Sequence, residues 1–218
     1  MEAALRIAEK LGKDDVQVEV LSVGPAQAAE SVRRGIAMGA QEATMVTDDR
    51  LVGADTTMTA TVLAKLIERG DYDLVVAGTM SSDGGSGVIA PMLGELLNWP
   101  ALTNLTSLDV DGDTVTATQA GDHATSTLRA QLPAVVAVSD EFADARFPNF
   151  KGLMAAKKKE LTTLTLDDLG VDAEDYTPAR AIMVSIDRRP PREQGEIIDA
   201  SSSSAAKLVD FLESQNLI

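Results

Sequence analysis

The chain has 218 residues, 44% hydrophobic but only 3% aromatic, so Val, Leu, Ile, Ala and Met must fill its core. It contains no cysteine, which excludes disulfides, thiolate metal sites and a cysteine nucleophile. Its 34 acidic residues against 19 basic ones give a net charge of −15, a field that repels nucleic acid, and no apolar run approaches membrane-spanning length.

The opening "MEAALRIAEKLGKDD" carries charges inside an amphipathic pattern and reads as a helix over 3–11, not as a signal peptide; the expected location is the cytoplasm. "VQVEVLSVG" (16–24) reads as a buried strand ending at a Gly-Pro turn, and Pro25 as the start of a helix running to about Met38. A short strand follows at 44–46 and a helix over about 55–69. "DLVVAG" (73–78) is the next strand; it runs into a glycine- and serine-rich loop and then into a helix marked by Val88, Met92, Leu93 and Leu96. Beyond Pro100 the pattern alternates in "TNLTSLDV", "DTVTATQA" and "ATSTLRAQL", which read as antiparallel strands with a turn at Asp111-Gly112-Asp113. "AVVAVS" returns to a buried strand. Residues 140–152 are irregular, "KGLMAAKKKEL" follows, and an acidic linker lies around 171–176. A lone strand "AIMVSID" (181–187) and a Pro-Pro loop precede a helix at about 201–216, capped by its serines.

Alternating strands and helices imply an α/β fold with a mostly parallel sheet flanked by helices. The expected organisation is a domain over 1–159, with an antiparallel strand region inside it, and an arm over 160–218. Doubly wound sheets place their first strand centrally, yet this chain opens on a helix, so its sheet is expected to lack its middle.

The loop 78–89 has four glycines and no Lys or Arg, and it lies between a strand end and a helix start. Those are the parts of an anion cradle, because glycine lets the backbone approach and helix-start amides favour a phosphate. The bland alternative is a flexible turn. "GSGVIA" (85–90) matches the dinucleotide fingerprint in letters only, since six residues separate it from the strand. Asp83 is expected to cap the loop rather than bind a metal, as no second carboxylate accompanies it. His123, the lone histidine, falls in a turn. No nucleophile, base and orienter can be assembled, so no catalytic residue and no metal site is expected.

Three stretches are similar to one family. "EVLSVGPAQAAESVRRGIAMGAQEATMVTDD", "DLVVAGTMSSDGGSGVIAPMLGELLNWP" and, most specifically, "RFPNFKGLMAAKKKELTTLTLDDLGVD" resemble the β subunit of electron-transfer flavoprotein, and "PPREQG" and the final helix extend the likeness. The resemblance implies an adenine nucleotide α-hydrolase-like sheet and an electron carrier, not an enzyme. It implies a heterodimer with an α subunit that holds most of the FAD, fed by flavin dehydrogenases and discharging to a membrane quinone reductase. It also implies a structural AMP held by Gly78, Thr79, Met80, Ser81, Ser82, Asp83, Gly84, Gly85, Ser86, Gly87, Val88 and Ile89, with Val23 on the adenosine side. Partner recognition falls on Arg146, Phe147, Phe150, Lys151, Leu153 and Met154. Phe150 is the expected apolar anchor, the alternative being that it plugs the chain's own core.

The sequence departs from the family in three places. The family's first strand and an extended segment precede the helix that starts here at Met1, which reads as a truncated start. "ADAR" replaces the family's "NEPR", putting Asp144 where a glutamate is usual. Gly85 and Val88 replace an acidic residue and a glutamine, which weakens the case for a bifurcating variant with a second FAD in place of AMP. The rival from another class is a stand-alone nucleotide-binding sensor.

Overall fold

Apolar residues recur along one side of α1 (Glu2–Leu11), and its Ala3, Leu5 and Ala8 are buried. Glu2 is buried with them, a position that requires a partner. The strand β1 (Glu19–Val23) is shorter than its apolar run and only half-buried throughout. Pro25 keeps an extended backbone instead of starting a helix, because the Gly24 amide is still bonded to the Val46 carbonyl. A single 3-10 turn (Ala26–Ala28) then leads into α2 (Ala29–Met38). The strand β2 (Glu42–Val46) leads to α3 (Thr56–Ile67), whose start is fixed by Asp55 accepting from the Met58 amide at 2.8 Å. Next come β3 (Leu74–Gly78), α4 (Ile89–Leu97), β4 (Ala101–Asp111), β5 (Thr114–Ala120), β6 (Thr125–Gln131) and β7 (Ala134–Val138). The chain continues through α5 (Phe150–Lys158), β8 (Thr162–Leu164), α6 (Leu166–Leu169) and α7 (Ser204–Ser214). The computed structural model describes residues 1–218 except Asp14, Asp83, Ala179, Glu193 and Glu196.

The described residues form two compact units, 1–183 and 184–218. In the first unit the strands make two sheets. One is parallel, in the order β1-β2-β8, with Glu19 opposite Glu42 and Thr44 opposite Thr162. The other is mixed, in the order β3-β7-β4-β5-β6; β3, β7 and β4 are parallel and β4-β5-β6 form an antiparallel meander. The register of β4 slips between Leu102 and Leu105, where Asn104 takes a positive φ of 57° and its amide reaches the Ala120 carbonyl.

Period-two alternation divides the core. On β7, Val135 and Ala137 pack with Ala64, Ile67, Ala90 and Leu93 of α3 and α4, while Ala134 and Val136 join Leu105, Val110, Val115 and Ala117 on the other face. The parallel sheet is likewise covered on both sides, by Val32, Ile36 and Ala156 on one and by Met58, Val62 and Leu166 on the other.

Two further expectations fail. "AIMVSID" forms no strand: among the described residues no strand pairs with 181–187, and Ile182, Val184 and Ile186 are exposed, so its β-branched pattern lacks the ladder that would hold it extended. The serines before α7 do not cap it, since Ser203 makes no side-chain cap bond. Instead the Ser204 hydroxyl lies 2.7 Å from the Asp199 carbonyl and 2.9 Å from that of Ser201.

Among the described residues, β1 bonds only β2 and β3 bonds only β7, so each is an edge strand of its sheet. Both line one cavity of about 660 Å³, roofed by Ala4, Ile7 and Leu11 of α1 and floored by Leu63, Ile67, Ile89 and Leu93. The Tyr72 hydroxyl, just ahead of β3, donates to Glu19 at the start of β1, so both strands begin at the same end of the cavity. Burial first, then the Glu19 carboxylate, pushes the Tyr72 hydroxyl pKa well up.

Candidate functional site

The carboxyl ends of β1, β3 and β7 carry Val23-Gly24, Gly78-Thr79 and Val138-Ser139, the location where open α/β sheets hold ligands. Thr79 fixes the root of the glycine loop, its amide and hydroxyl both donating to the Val138 carbonyl at 3.0 and 3.1 Å. The Gly85 amide donates to the Ser81 carbonyl at 3.1 Å, folding the loop back on itself. Gly85 and Gly87 take φ of 60° and 67°, a region that side-chain-bearing residues enter at a cost. A Cβ at Gly78 would meet nothing within 4 Å, so open space lies over the end of β3.

The helix α4 then begins without a side-chain cap, leaving its first-turn amides to the loop. Pro91 contributes no amide there, so the donors are those of Ile89 and its neighbours. Met80, Ser81, Ser82, Gly84, Gly85, Ser86 and Val88 are exposed, whereas Thr79, Gly87 and Ile89 are half-buried. Val23 packs against the cluster of Val46, Met58 and Val62. Asp83, the expected loop cap, lies outside the described residues. Backbone amides, an open glycine face and a free helix start suit a phosphate group with no help from a cation. Among the described residues, no group of three or more His, Cys, Asp or Glu is arranged to hold a metal ion, and no helix is long and apolar enough to cross a membrane.

The second candidate surface lies at 146–154. Phe147 is 95% exposed and Phe150 78%, so neither plugs this chain's own core, and Leu153, Met154 and Lys151 are exposed beside them. Phe150 opens α5, which Asn149 caps by accepting from the Gly152 amide at 2.8 Å. Arg146 faces inward. Its Nε and Nη2 donate to Glu2 at 2.7 and 3.0 Å, and its Nη1 and Nη2 to Glu9 at 2.6 and 3.0 Å. The Arg146 guanidinium, hydrogen-bonded to both, holds the Glu2 and Glu9 carboxyls at about 2.

Sequence reasoning missed this clamp. Its one local trace is the seven-residue spacing of Glu2 and Glu9, which puts both carboxylates on one face of α1. It also missed the end of β2, where Asp48 accepts from the Arg50 side chain and the Leu166 amide, fastening α6 to the sheet. The Arg50 side chain, more than any other group, pulls the Asp48 carboxyl well below the usual carboxylate range.

Residues 1–169 match the family described as "Electron transfer flavoprotein domain". The whole chain is 38% identical to the electron transfer flavoprotein subunit beta of Mycobacterium leprae (strain TN), covering 84% of that protein. It is 34% identical, with the same coverage, to the subunit of that name from Thermoanaerobacterium thermosaccharolyticum. Against the Bacillus subtilis (strain 168) subunit beta it is 32% identical over 99% of its own length and 83% of the relative's.

Proposed function

The chain belongs to the electron transfer flavoprotein β-subunit family, and on that premise we propose that it is the nucleotide-holding half of a heterodimeric electron carrier. Its partner is an α subunit that holds most of the FAD. The pair collects electrons from flavin dehydrogenases in the cytoplasm and delivers them to a membrane quinone reductase. The α/β frame of the two sheets is read as adenine nucleotide α-hydrolase-like.

An AMP phosphate rests on the amides of residues 86–89, with Gly78 beneath it and the Val23 end of β1 beside the adenosine. The observation that carries this reading is the union of two positive-φ glycines, Gly85 and Gly87, with an uncapped helix start over the strand ends. The AMP is structural. It braces the β3–α4 turn against the end of β7 through Thr79 and takes no part in electron transfer.

FAD, when bound, supplies the redox chemistry; this chain supplies positioning. Phe150, Phe147 and Leu153 dock the dehydrogenase, and the 184–218 unit clasps the α subunit through the exposed Leu208, Val209 and Phe211 of α7.

The test is to co-purify the chain with its α subunit, denature the complex and quantify released nucleotides. One AMP and one FAD per heterodimer is the expected result. Two FAD and no AMP would replace it with the bifurcating variant, and no flavin with a stable homodimer would replace it with a nucleotide sensor.

A further inference from the structure

The segment 146–159, which carries the 146–154 surface, is held to the body of the protein at three separate points. The first is Arg146. Besides its four side-chain bonds to Glu2 and Glu9, its own amide donates to Glu2 Oε2 at 3.1 Å, so backbone and guanidinium grip the same carboxylate. The Glu2 side chain is only 9% exposed, and α1 supports the arrangement from its own surface: Arg6 donates to Glu2 at 2.8 Å and Lys13 pairs with Glu9 at 2.9 Å. The second point is Gly152, whose missing side chain lets α5 lie directly on the Ala37 carbonyl at the end of α2. The third is Arg33 of α2, which donates to the Ala156 and Lys159 carbonyls at 2.9 and 2.7 Å and so caps the far end of α5.

The chain between the first two points does the opposite of packing. Phe147, directly after Arg146, is the most exposed large apolar side chain described, and Phe150 lies three residues on. Two exposed phenylalanines on a mobile loop would pay ordering entropy on docking; fastened at both ends, they pay little. Arg146 itself is spent, because two carboxylates take up both edges of its fork. It has little left to offer another protein.

We propose that Arg146 is a positioning residue for partner docking. It locks the 146–154 loop onto α1 through Glu2 and Glu9, so that Phe147 and Phe150 are presented ready-made, and it does not itself meet the partner. This deepens the function proposed above and rests on that reading, since it assumes that 146–154 is the docking surface.

The test uses the co-expressed heterodimer as parent, Arg146→Ala and Glu2→Gln/Glu9→Gln, with Phe150→Ala as the docking control. The double variant keeps the Arg146 charge but loosens its hold, so a loss there cannot come from a missing ion pair to the partner. In Arg146→Ala the buried Glu2 keeps Arg6, which guards against misfolding. Hydrogen exchange on the free heterodimer is read first. Amides 147–152 are expected to exchange roughly tenfold faster in both clamp variants, with the β7 amides unchanged.

Turnover with a purified flavin dehydrogenase as electron donor is read second. Both clamp variants should raise KM roughly fivefold at unchanged kcat, and the salt dependence of kcat/KM should match the parent's. Unchanged exchange at 147–152 overturns the proposal. So does a loss confined to Arg146→Ala with a shallower salt dependence, which marks a direct contact with the partner. If Phe150→Ala turns over like the parent, the docking reading itself falls, while the exchange result still decides whether Arg146 holds the loop.

Discussion

Gly152→Ala sets two effects against each other. On an exposed helix the change should stabilise by up to about 1 kcal/mol, because alanine is the better helix former. Here the new methyl would sit deep inside the contact distance of the Ala37 carbonyl oxygen, a backbone atom that cannot rotate away. Restoring an ordinary contact requires α5 to back off by about 1 Å, with overpacking costs of roughly 1–3 kcal/mol. The same retreat stretches the Arg33 bonds to Ala156 and Lys159, worth about 1.5 kcal/mol or more each where the donor is charged. The steric term wins, for a net loss of roughly 1–3 kcal/mol. At about 2–4 °C per kcal/mol for a chain of this size, Tm should fall by roughly 2–12 °C. Urea and thermal unfolding of the parent and Gly152→Ala would measure this. Ala155→Gly on the exposed side of the same helix serves as control and should cost only the propensity term, about 1 kcal/mol. A Gly152→Ala protein as stable as the parent, or more so, would mean that α5 is not seated on Ala37.

Acid should release the clamp. Glu2 and Glu9 are held at about 2 against an ordinary 4.5, so the stability they contribute is present above about pH 5 and lost as pH falls towards 2. The urea midpoint should drop across that window, and less in Glu2→Gln/Glu9→Gln. Leu166→Ala removes a fully buried side chain that joins α6 to α3, and should cost about 2–5 kcal/mol in urea unfolding. Gly87→Val forces a β-branched residue to a φ of 67° at a cost of about 1–2 kcal/mol and stiffens the cradle in the wrong shape. Released AMP per heterodimer should fall while FAD is retained, as measured by chromatography of the denatured complex.

Much of the fold is legible because its signals are local. Asp55 marks the start of α3 by its own side chain, "DLVVAG" carries β3 in its composition, and Asp111-Gly112-Asp113 turns β4 into β5. The elements that fail depend on neighbours. β8 is three residues long and is a strand only because Thr162–Leu164 finds β2, while "AIMVSID" has the better strand composition and no strand beside it among the described residues. The glycine loop could be found from the sequence because Gly, Ser and a helix start sit within a dozen residues. The Arg146 clamp could not, because its halves are 144 and 137 residues apart and nothing local at Arg146 distinguishes it from an arginine that faces outward.

The cavity between β1 and β3 has a mechanical consequence. No backbone ladder crosses it, so among the described residues the two sheets are joined chiefly by packing under α1 and α3 and by the Tyr72–Glu19 bond. Hydrogen-bonded ladders help a sheet melt as one body, and a seam without a ladder leaves that coupling to packing. The β1-β2-β8 half and the β3-β7-β4-β5-β6 half are therefore coupled through side chains, above all those of α3, and a strand laid along the seam would act as a keystone, adding a hydrogen-bonded ladder to that packing.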